Sequence, residues 1–540
     1  MKKILLTAIA ILICIAGTQA QNVYIPDSIF KAALVNNTRI NTNRDTAIQV
    51  SEAVAYMGSI NVSNLGITDL TGIAAFTALD SLDCSWNYIT SIDVSACTSL
   101  ITLDCFANQL SNLNVSGCAS LITLNCASNK LSNLTILSCT SLTALDCGGN
   151  PLTVLSVSGC SALTALNILM YWQTLTSLNI SGTRLTSLNF SNKWYELRSL
   201  NASGCTALTS LNCSTQWGSL TSLNVSGCAA LTSLDCAHNS LSSLNVSGCS
   251  ALKTLDCSSN QLTNLNISSC TTLTTLVCWG NQLANLNVSD NSALKHLECD
   301  SNPLTSLNLS ACTALTFLNC SWNFISNLNL STNKILTTLW CLGNRLTSLN
   351  LSANTALTDL QCASNSLLSL NVSANTALTF LYCSENALKS INVSANTALT
   401  TLWCSQNRLT SLNIKNGKNR QMSFEATFNP NLTCIEVDNA AWSKANWGNN
   451  VDNTASFSES CSGTGVNTIA QSMVFQVYPN PTTGIINLSV NANIVLTDLL
   501  GKLLLEQKNT NQLDISALPA GMYFMRVGDN LKQTFKIIKE

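Results

Sequence analysis

The chain has 540 residues, only 10% of them charged, and its net charge is −2. Its 25 basic and 27 acidic residues leave no positive excess for nucleic acid or an anionic membrane, so those partner classes are excluded. The length also exceeds what one compact core fills, which points to several domains or to a stacked array.

The first 20 residues, MKKILLTAIAILICIAGTQA, combine Lys2 and Lys3, an apolar run over 4–16 and a small-residue site ending at Ala20. This is the pattern of a secretory signal peptide cleaved after Ala20. The run is short for a membrane span of about 20 residues, and Ile13 is too bulky for Cys14 to accept a lipid. No later segment is predicted to span a bilayer.

Residues 21–57 read as a helical N-terminal cap, with helices in IPDSIFKAAL and IQVSEAVAY. The loop between them resembles an EF-hand loop, with Asn41, Asn43, Asp45 and Glu52 in ligand places. It departs from that pattern at Asn41, where Asp is usual, and at Thr46, where Gly makes the turn. Two readings stand: a Ca2+ site, or a cap that keeps the shape and needs no cofactor.

Residues 58–433 repeat the coil LxxLxCxxNxLxxLxVSxCxxL with a period of 21, stretched to 23 in places. A fixed period of this size means a stacked solenoid. In LxxLxC the leucine and cysteine point inward and the residue between them outward, the period-2 signature of a strand. The second half of the coil, such as LSSLNVSGC, repeats the inward pattern on the opposite wall. Asn87, Asn108, Asn129, Asn239, Asn260 and Asn407 follow the first cysteine by three residues and are expected to satisfy turn backbone groups inside the stack.

The chain has 26 cysteines, which in an exported protein suggests disulfides. Their register says otherwise, because each stacks on its own copy about 4.8 Å away, while disulfide Cβ atoms want about 3.8 Å and converging vectors. Val62, Ile168 and Ala426 replace the first set, and Thr183, Asn291 and Asn333 the second. The repeat cysteines are therefore expected to be buried, free and apolar in role. Cys434 and Cys461 stand outside the pattern and can pair with each other.

These coils resemble the leucine-rich repeat family, close to its internalin-like bacterial versions. The resemblance covers roughly residues 60–429 and implies about eighteen coils with a parallel β-sheet on the concave face, which recognises protein or glycan. It departs from the commonest pattern in using Cys where Leu is usual. Residues 434–461 are expected to close the open end, and 462–472 read as a Ser/Gly/Thr-rich linker. Residues 473–540 alternate like short strands with Pro/Gly turns, as in a small β-sandwich. Their ordered motifs, Tyr478-Pro-Asn-Pro481, Leu499-Leu-Gly-Lys502, Leu518-Pro-Ala-Gly-Met-Tyr523 and Lys536-Ile-Ile-Lys539, resemble the C-terminal sorting domain of the type IX secretion system of Bacteroidota. That resemblance implies export through the outer membrane, contact with the secretion machinery, and surface attachment or release.

No H-E-x-x-H, G-x-S-x-G or P-loop appears, and no acid is paired with a base for catalysis. Asp83, Asp104, Asp146, Asp235 and Asp256 share one outward strand position, either as a solvated row or as a face for cations or a basic partner. Trp279, Phe317, Trp340, Phe380, Tyr382 and Trp403 are placed on outward strand positions, where large aromatics serve binding rather than folding. Three inserted loops carry Tyr171, Trp172, Trp194, Tyr195 and Trp217 and are expected to form an edge ridge. The sequence thus points to a non-catalytic, secreted or surface-attached recognition protein. Its alternatives are a glycan-binding accessory of polysaccharide degradation and a purely structural surface component.

Overall fold

A computed structural model describes residues 21–137, 139–168, 174–189, 196–214, 218–461, 476–499, 501–527 and 533–540. The chain divides into two compact units, 1–461 and 462–540. No helix among the described residues is long and apolar enough to cross a membrane.

The first unit is a parallel β-solenoid. Its front wall is a ladder of three-residue strands, a six-stranded stretch from Ser59–Asn61 to Ala165–Asn167 and a twelve-stranded stretch from Ser187–Asn189 to Ser423–Glu425. Adjacent strands pair in register, leucine beside leucine: Leu82 on Leu103, Leu318 on Leu339, Leu381 on Leu402. The central leucine is buried and its two neighbours face out, as in Thr338–Trp340. The cysteine that follows, such as Cys341, is fully buried. The back wall pairs over shorter stretches, of five strands between Asn133–Thr135 and Ser222–Asn224 and of four strands between Ser390–Asn392 and Ser456–Ser458.

The asparagine ladder does what the period implies. Asn323 Nδ2 donates to the carbonyls of Cys299, Cys320 and Ser321 at 3.0–3.1 Å, while its Oδ1 accepts from Leu304 N–H at 3.0 Å. One side chain thus closes its own turn and ties it to the preceding coil. A second ladder runs where asparagine replaces cysteine in the back half of the coil. Asn354 Nδ2 bridges the carbonyls of Leu330 and Asn333 at 3.1 and 2.8 Å.

Of the 26 cysteines, Cys14 lies outside the described residues and Cys434 is bonded to Cys461. The other 23 are buried and free. Burial removes the solvation a thiolate needs, and it pushes the Cys320 and Cys362 thiols up to about 12. The mature protein, denatured without reductant, is therefore expected to titrate close to 23 thiols. The native protein should react slowly with the same reagent. A denatured chain with almost no free thiol overturns this reading.

Both ends are capped. At the N-terminus, helices Ser28–Asn36 and Val50–Ala55 bury Phe30, Leu34 and Ala53 against the repeat core. Asp27 caps the first helix through Ile29 and Phe30 N–H, and its second oxygen accepts from Thr68 N–H and Oγ at 2.9 and 3.0 Å. That carboxylate pins the cap to the first coil. At the other end, helix Ala440–Trp447 lays Trp447 on Phe424 and Phe457, with ring centroids 4.8 and 6.2 Å away. The Cys434–Cys461 disulfide closes the last coil.

The second unit is an antiparallel β-domain of sandwich type. A long, bulged strand, Ile485–Thr497, pairs with Leu503–Asp514 along one side. Its other side takes Val477–Tyr478 near its start and Gly521–Val527 near its end. Gln533–Lys539 extends the sheet. The core holds Ile486, Leu488, Ile494, Leu496, Met525 and Ile537.

Candidate recognition face on the front sheet

On the front strands whose side chains are described, two point outward, one before and one after the central leucine. The second of these is Asn or Asp in every strand from Asn61 to Asp256. Its role there is structural: Asp83, Asp104, Asp146, Asp235 and Asp256 each accept the backbone N–H two residues on, at 3.0–3.2 Å. Asn125 and Asn212 do the same. This Asx turn explains why Asn and Asp interchange along the row. Among the described residues no group of three or more His, Cys, Asp or Glu side chains is placed to hold a metal ion.

The pattern breaks beyond Asp256. The same position becomes Val277, Glu298, Asn319, Trp340, Gln361, Tyr382, Trp403 and Glu425. Only Asn319 keeps the turn-closing bond, to Ser321 N–H at 3.1 Å. A net hydrogen bond of about 1 kcal/mol has been given up in one coil after another. The first outward position changes over the same stretch, to His296, Phe317, Asp359 and Phe380.

The replacements form one connected surface. His296 stacks on Phe317, centroids 4.2 Å apart and planes 10° from parallel, and its Nε2 lies 2.6 Å from Glu298 Oε1. Phe317 meets Trp340 edge to face at 5.2 Å. Trp340 Nε1 donates to Asp359 Oδ2 at 3.2 Å, and Gln361 Nε2 donates to Asp359 Oδ1 at 3.3 Å. Trp403 takes both Phe380 and Tyr382 edge to face, at 5.5 and 5.6 Å. All these rings are half-buried, packed on one another with one face open. Burial, helped by Glu385 and Glu425, raises the Tyr382 phenol above its ordinary range, so it stays a neutral donor.

Five of the six aromatic positions expected on this sheet are therefore there. Trp279 is the correction. The strand ends at Val277, Cys278 turns inward, and Trp279 lies one residue further on, where the chain has left the sheet. Its ring packs on His238 at 5.7 Å, on the rim. The expected edge ridge of Tyr171, Trp172, Trp194, Tyr195 and Trp217 lies outside the described residues. A cavity of about 620 Å³ opens on the front sheet nearer the N-terminus, lined by Thr123, Asn125, Asp146 and Asn167 among others. Its polar walls belong to the regular repeat: Asn125 and Asp146 close their own turns, and Asn167 Nδ2 donates to Asp146 Oδ2 at 2.9 Å.

The rim carries aromatics that periodicity alone does not reveal. Trp86 and Trp322 occupy the left-handed position of their turns, with φ of 57° and 53°, and are 62% and 60% exposed. Such a conformation costs a non-glycine residue about 1–2 kcal/mol. Exposed Tyr88 and Phe324 flank them, and Arg345 sits 4.6 Å over the Phe324 ring. The signal was in the sequence as two matching runs, Cys84-Ser-Trp-Asn-Tyr-Ile89 and Cys320-Ser-Trp-Asn-Phe-Ile325.

The EF-hand-like loop turns its oxygens onto its own nitrogens. Glu52 Oε1 accepts from Thr42 N–H and Oγ and from Asn43 N–H, and Oε2 accepts from Gln49 N–H. Asp45 takes Ala47 N–H and the side-chain amides of Asn43 and Gln49. Asn41 points its Nδ2 at the carbonyls of Val35 and Asp45. These bonds hold the loop as a cap, with Asn41 Oδ1 buried and the one oxygen among them that has no hydrogen-bond partner.

Comparison with known proteins agrees with both units. Residues 476–540 match the family described as the secretion system C-terminal sorting domain. Residues 170–276 match the leucine-rich repeat domain family of the endo-β-N-acetylglucosaminidase EndoS. No curated protein matches the chain. Among solved structures, the functional domain of InlJ from Listeria monocytogenes, described as including a cysteine ladder, is 24% identical, with a TM-score of 0.35 over 96% of this chain and 98% of that one. A leucine-rich repeat protein of Leptospira interrogans is 22% identical, with a TM-score of 0.38 over 67% of this chain and 92% of its own. YopM from Yersinia enterocolitica is 21% identical, with a TM-score of 0.30 over 70% of this chain and 91% of its own. The protein is a leucine-rich repeat solenoid carrying a type IX sorting domain. That domain directs export to the cell surface or the medium.

Proposed function

We propose that this is a non-catalytic recognition protein, which binds an extracellular protein through the C-terminal half of its front sheet. The observation that carries the reading is the exchange of turn-closing Asn and Asp for Trp340, Tyr382 and Trp403. The solenoid gives up local hydrogen bonds there and gains nothing in its core, so the rings serve something outside it. Their flat, half-open faces also suit sugar rings. A glycan-binding accessory of polysaccharide degradation is the second reading, and the match of residues 170–276 to a repeat domain named for a glycosidase lends it support.

Probing arrays of extracellular proteins and of glycans with the mature chain separates the two. The test of the site is the variant W340A/Y382A/W403A. Each lost edge-to-face pair removes about 0.5–1.5 kcal/mol, so its melting temperature is expected to fall by only a few degrees. Its affinity for the array ligand should drop by about 100-fold or more, as for central aromatic anchors. A folded variant that binds as well as wild type removes the site from this face.

A further inference from the structure

We infer that the partner of this face is a basic protein segment, whose lysine and arginine side chains enter between the aromatic rings and the carboxylates of the front sheet. This rests on the recognition role proposed above and names the chemistry of the ligand.

The first ground is a segregation of charge. The chain has 25 lysines and arginines, yet none occupies an outward position of any front strand. The nearest, Lys253 and Lys295, stand one residue before their strands, at the leading edge of the sheet. Carboxylates behave oppositely: Asp235, Asp256, Glu298, Asp359 and Glu425 all face outward from these strands.

The second ground is that this charge is left unbalanced. Among the described residues, Glu298 is the one member of the row with an ion-pair partner, His296. Asp359 is held by neutral donors, the Trp340 and Gln361 side chains, which orient it without cancelling its charge. Burial, aided by Asp256 beside it, raises the Asp235 carboxyl, and burial with Glu298 nearby raises that of Asp300 on the adjoining turn. Like charges crowd here, and among the described residues the imidazoles of His296 and His238 are the basic groups set against them.

The third ground is geometric. Carboxylate strands bracket pairs of ring strands: Phe317 and Trp340 lie between Glu298 and Asp359, and Tyr382 and Trp403 between Asp359 and Glu425. Trp340 touches Asp359, and Trp403 stands in register beside Glu425. A guanidinium or ammonium set between such neighbours gains a cation–π contact and a charge-assisted hydrogen bond together. A neutral glycan can use the rings and donate hydroxyls to the carboxylates, but unlike a cation it leaves their charge unbalanced.

The test uses the mature full-length protein and three immobilised probes: a 16-residue peptide of alternating arginine and serine, the same peptide with glutamate for arginine, and a neutral polysaccharide. The variant E298Q/D359N/E425Q removes charge from the sheet with little change of shape. The variant E196Q/D290N/E459Q removes as much from exposed sites elsewhere. We expect the arginine peptide to bind wild type and the second variant equally, and the first variant at least tenfold more weakly. W340A/Y382A/W403A should also weaken it, and raised salt should weaken wild type most. Equal binding by the two charge variants, or no binding of the arginine peptide to wild type, overturns the inference. Polysaccharide binding lost in the aromatic variant and kept in E298Q/D359N/E425Q overturns the basic partner and leaves the recognition face standing. If neither front-sheet variant differs from wild type toward any bound probe, both fall.

Discussion

Replacing Asn323 by alanine is expected to destabilise the solenoid by about 2–3 kcal/mol, because one truncation strands a buried N–H and takes a donor from three carbonyls. The side chain is 3% exposed, and no water can take over its four hydrogen bonds without opening the coil. Leu304 N–H loses its acceptor in the apolar interior, while the carbonyls of Cys299 and Cys320 each lose one of two amide donors and keep those of Asn302 and Asn344. The site also lies within the stack. In a solenoid each coil is held by its neighbours, so a weak joint there should broaden the urea transition or split it in two. Asn287 is the control. It is exposed and accepts one bond, from Ser289 N–H at 3.0 Å, so its alanine variant should cost about 1 kcal/mol or less. Urea curves that coincide for the two variants would show that the ladder contributes no more than surface turns do.

The same ladder explains what the sequence could and could not disclose. Leucine, cysteine and asparagine were legible because each recurs at one angular position, and a position repeated eighteen-fold along the front wall leaves little choice of inside or outside. Trp279 was misplaced because it stands one residue past an inward cysteine, and a period-2 pattern does not mark the residue at which a strand ends. The Asx row looked like interchangeable surface. Only the bonds that Asp83 accepts from Ser85 N–H and Asp256 from Ser258 N–H show it to be a turn device. Once that is known, its loss at Trp340, Tyr382 and Trp403 becomes the sharpest signal on the sheet. The calcium-like loop shows the opposite limit. Its oxygens could be counted in the sequence, but not the amide donors already aimed at them, as Asn43 and Gln49 are at Asp45.

A chain ending at residue 472 is expected to lose surface display by at least tenfold and to accumulate in the periplasm with its repeats folded. The repeats should survive because the solenoid closes itself: Trp447 covers the last coil and the Cys434–Cys461 bond fastens it, so the truncation bares no leucine. Export should fail because residues 476–540 fold around a core of their own and carry the sorting-domain match. Within that domain the ordered motifs converge on the last strand. Asn480 Nδ2 donates to Lys536 O at 2.6 Å, and its Oδ1 accepts from Ile538 N–H at 2.9 Å. Lys539 Nζ reaches back to the Ser516 carbonyl at 2.7 Å and to that of Leu518. The motifs Tyr478-Pro-Asn-Pro481, Leu518-Pro-Ala-Gly-Met-Tyr523 and Lys536-Ile-Ile-Lys539, far apart in sequence, are therefore one structural lock on the C-terminal strand. Asn480→Ala should loosen that lock and lower export without deleting anything, to a level between wild type and the truncation. Fractionation with antibody against the repeats reads both variants. Undiminished surface display of the truncated chain would mean that the repeats carry their own export signal.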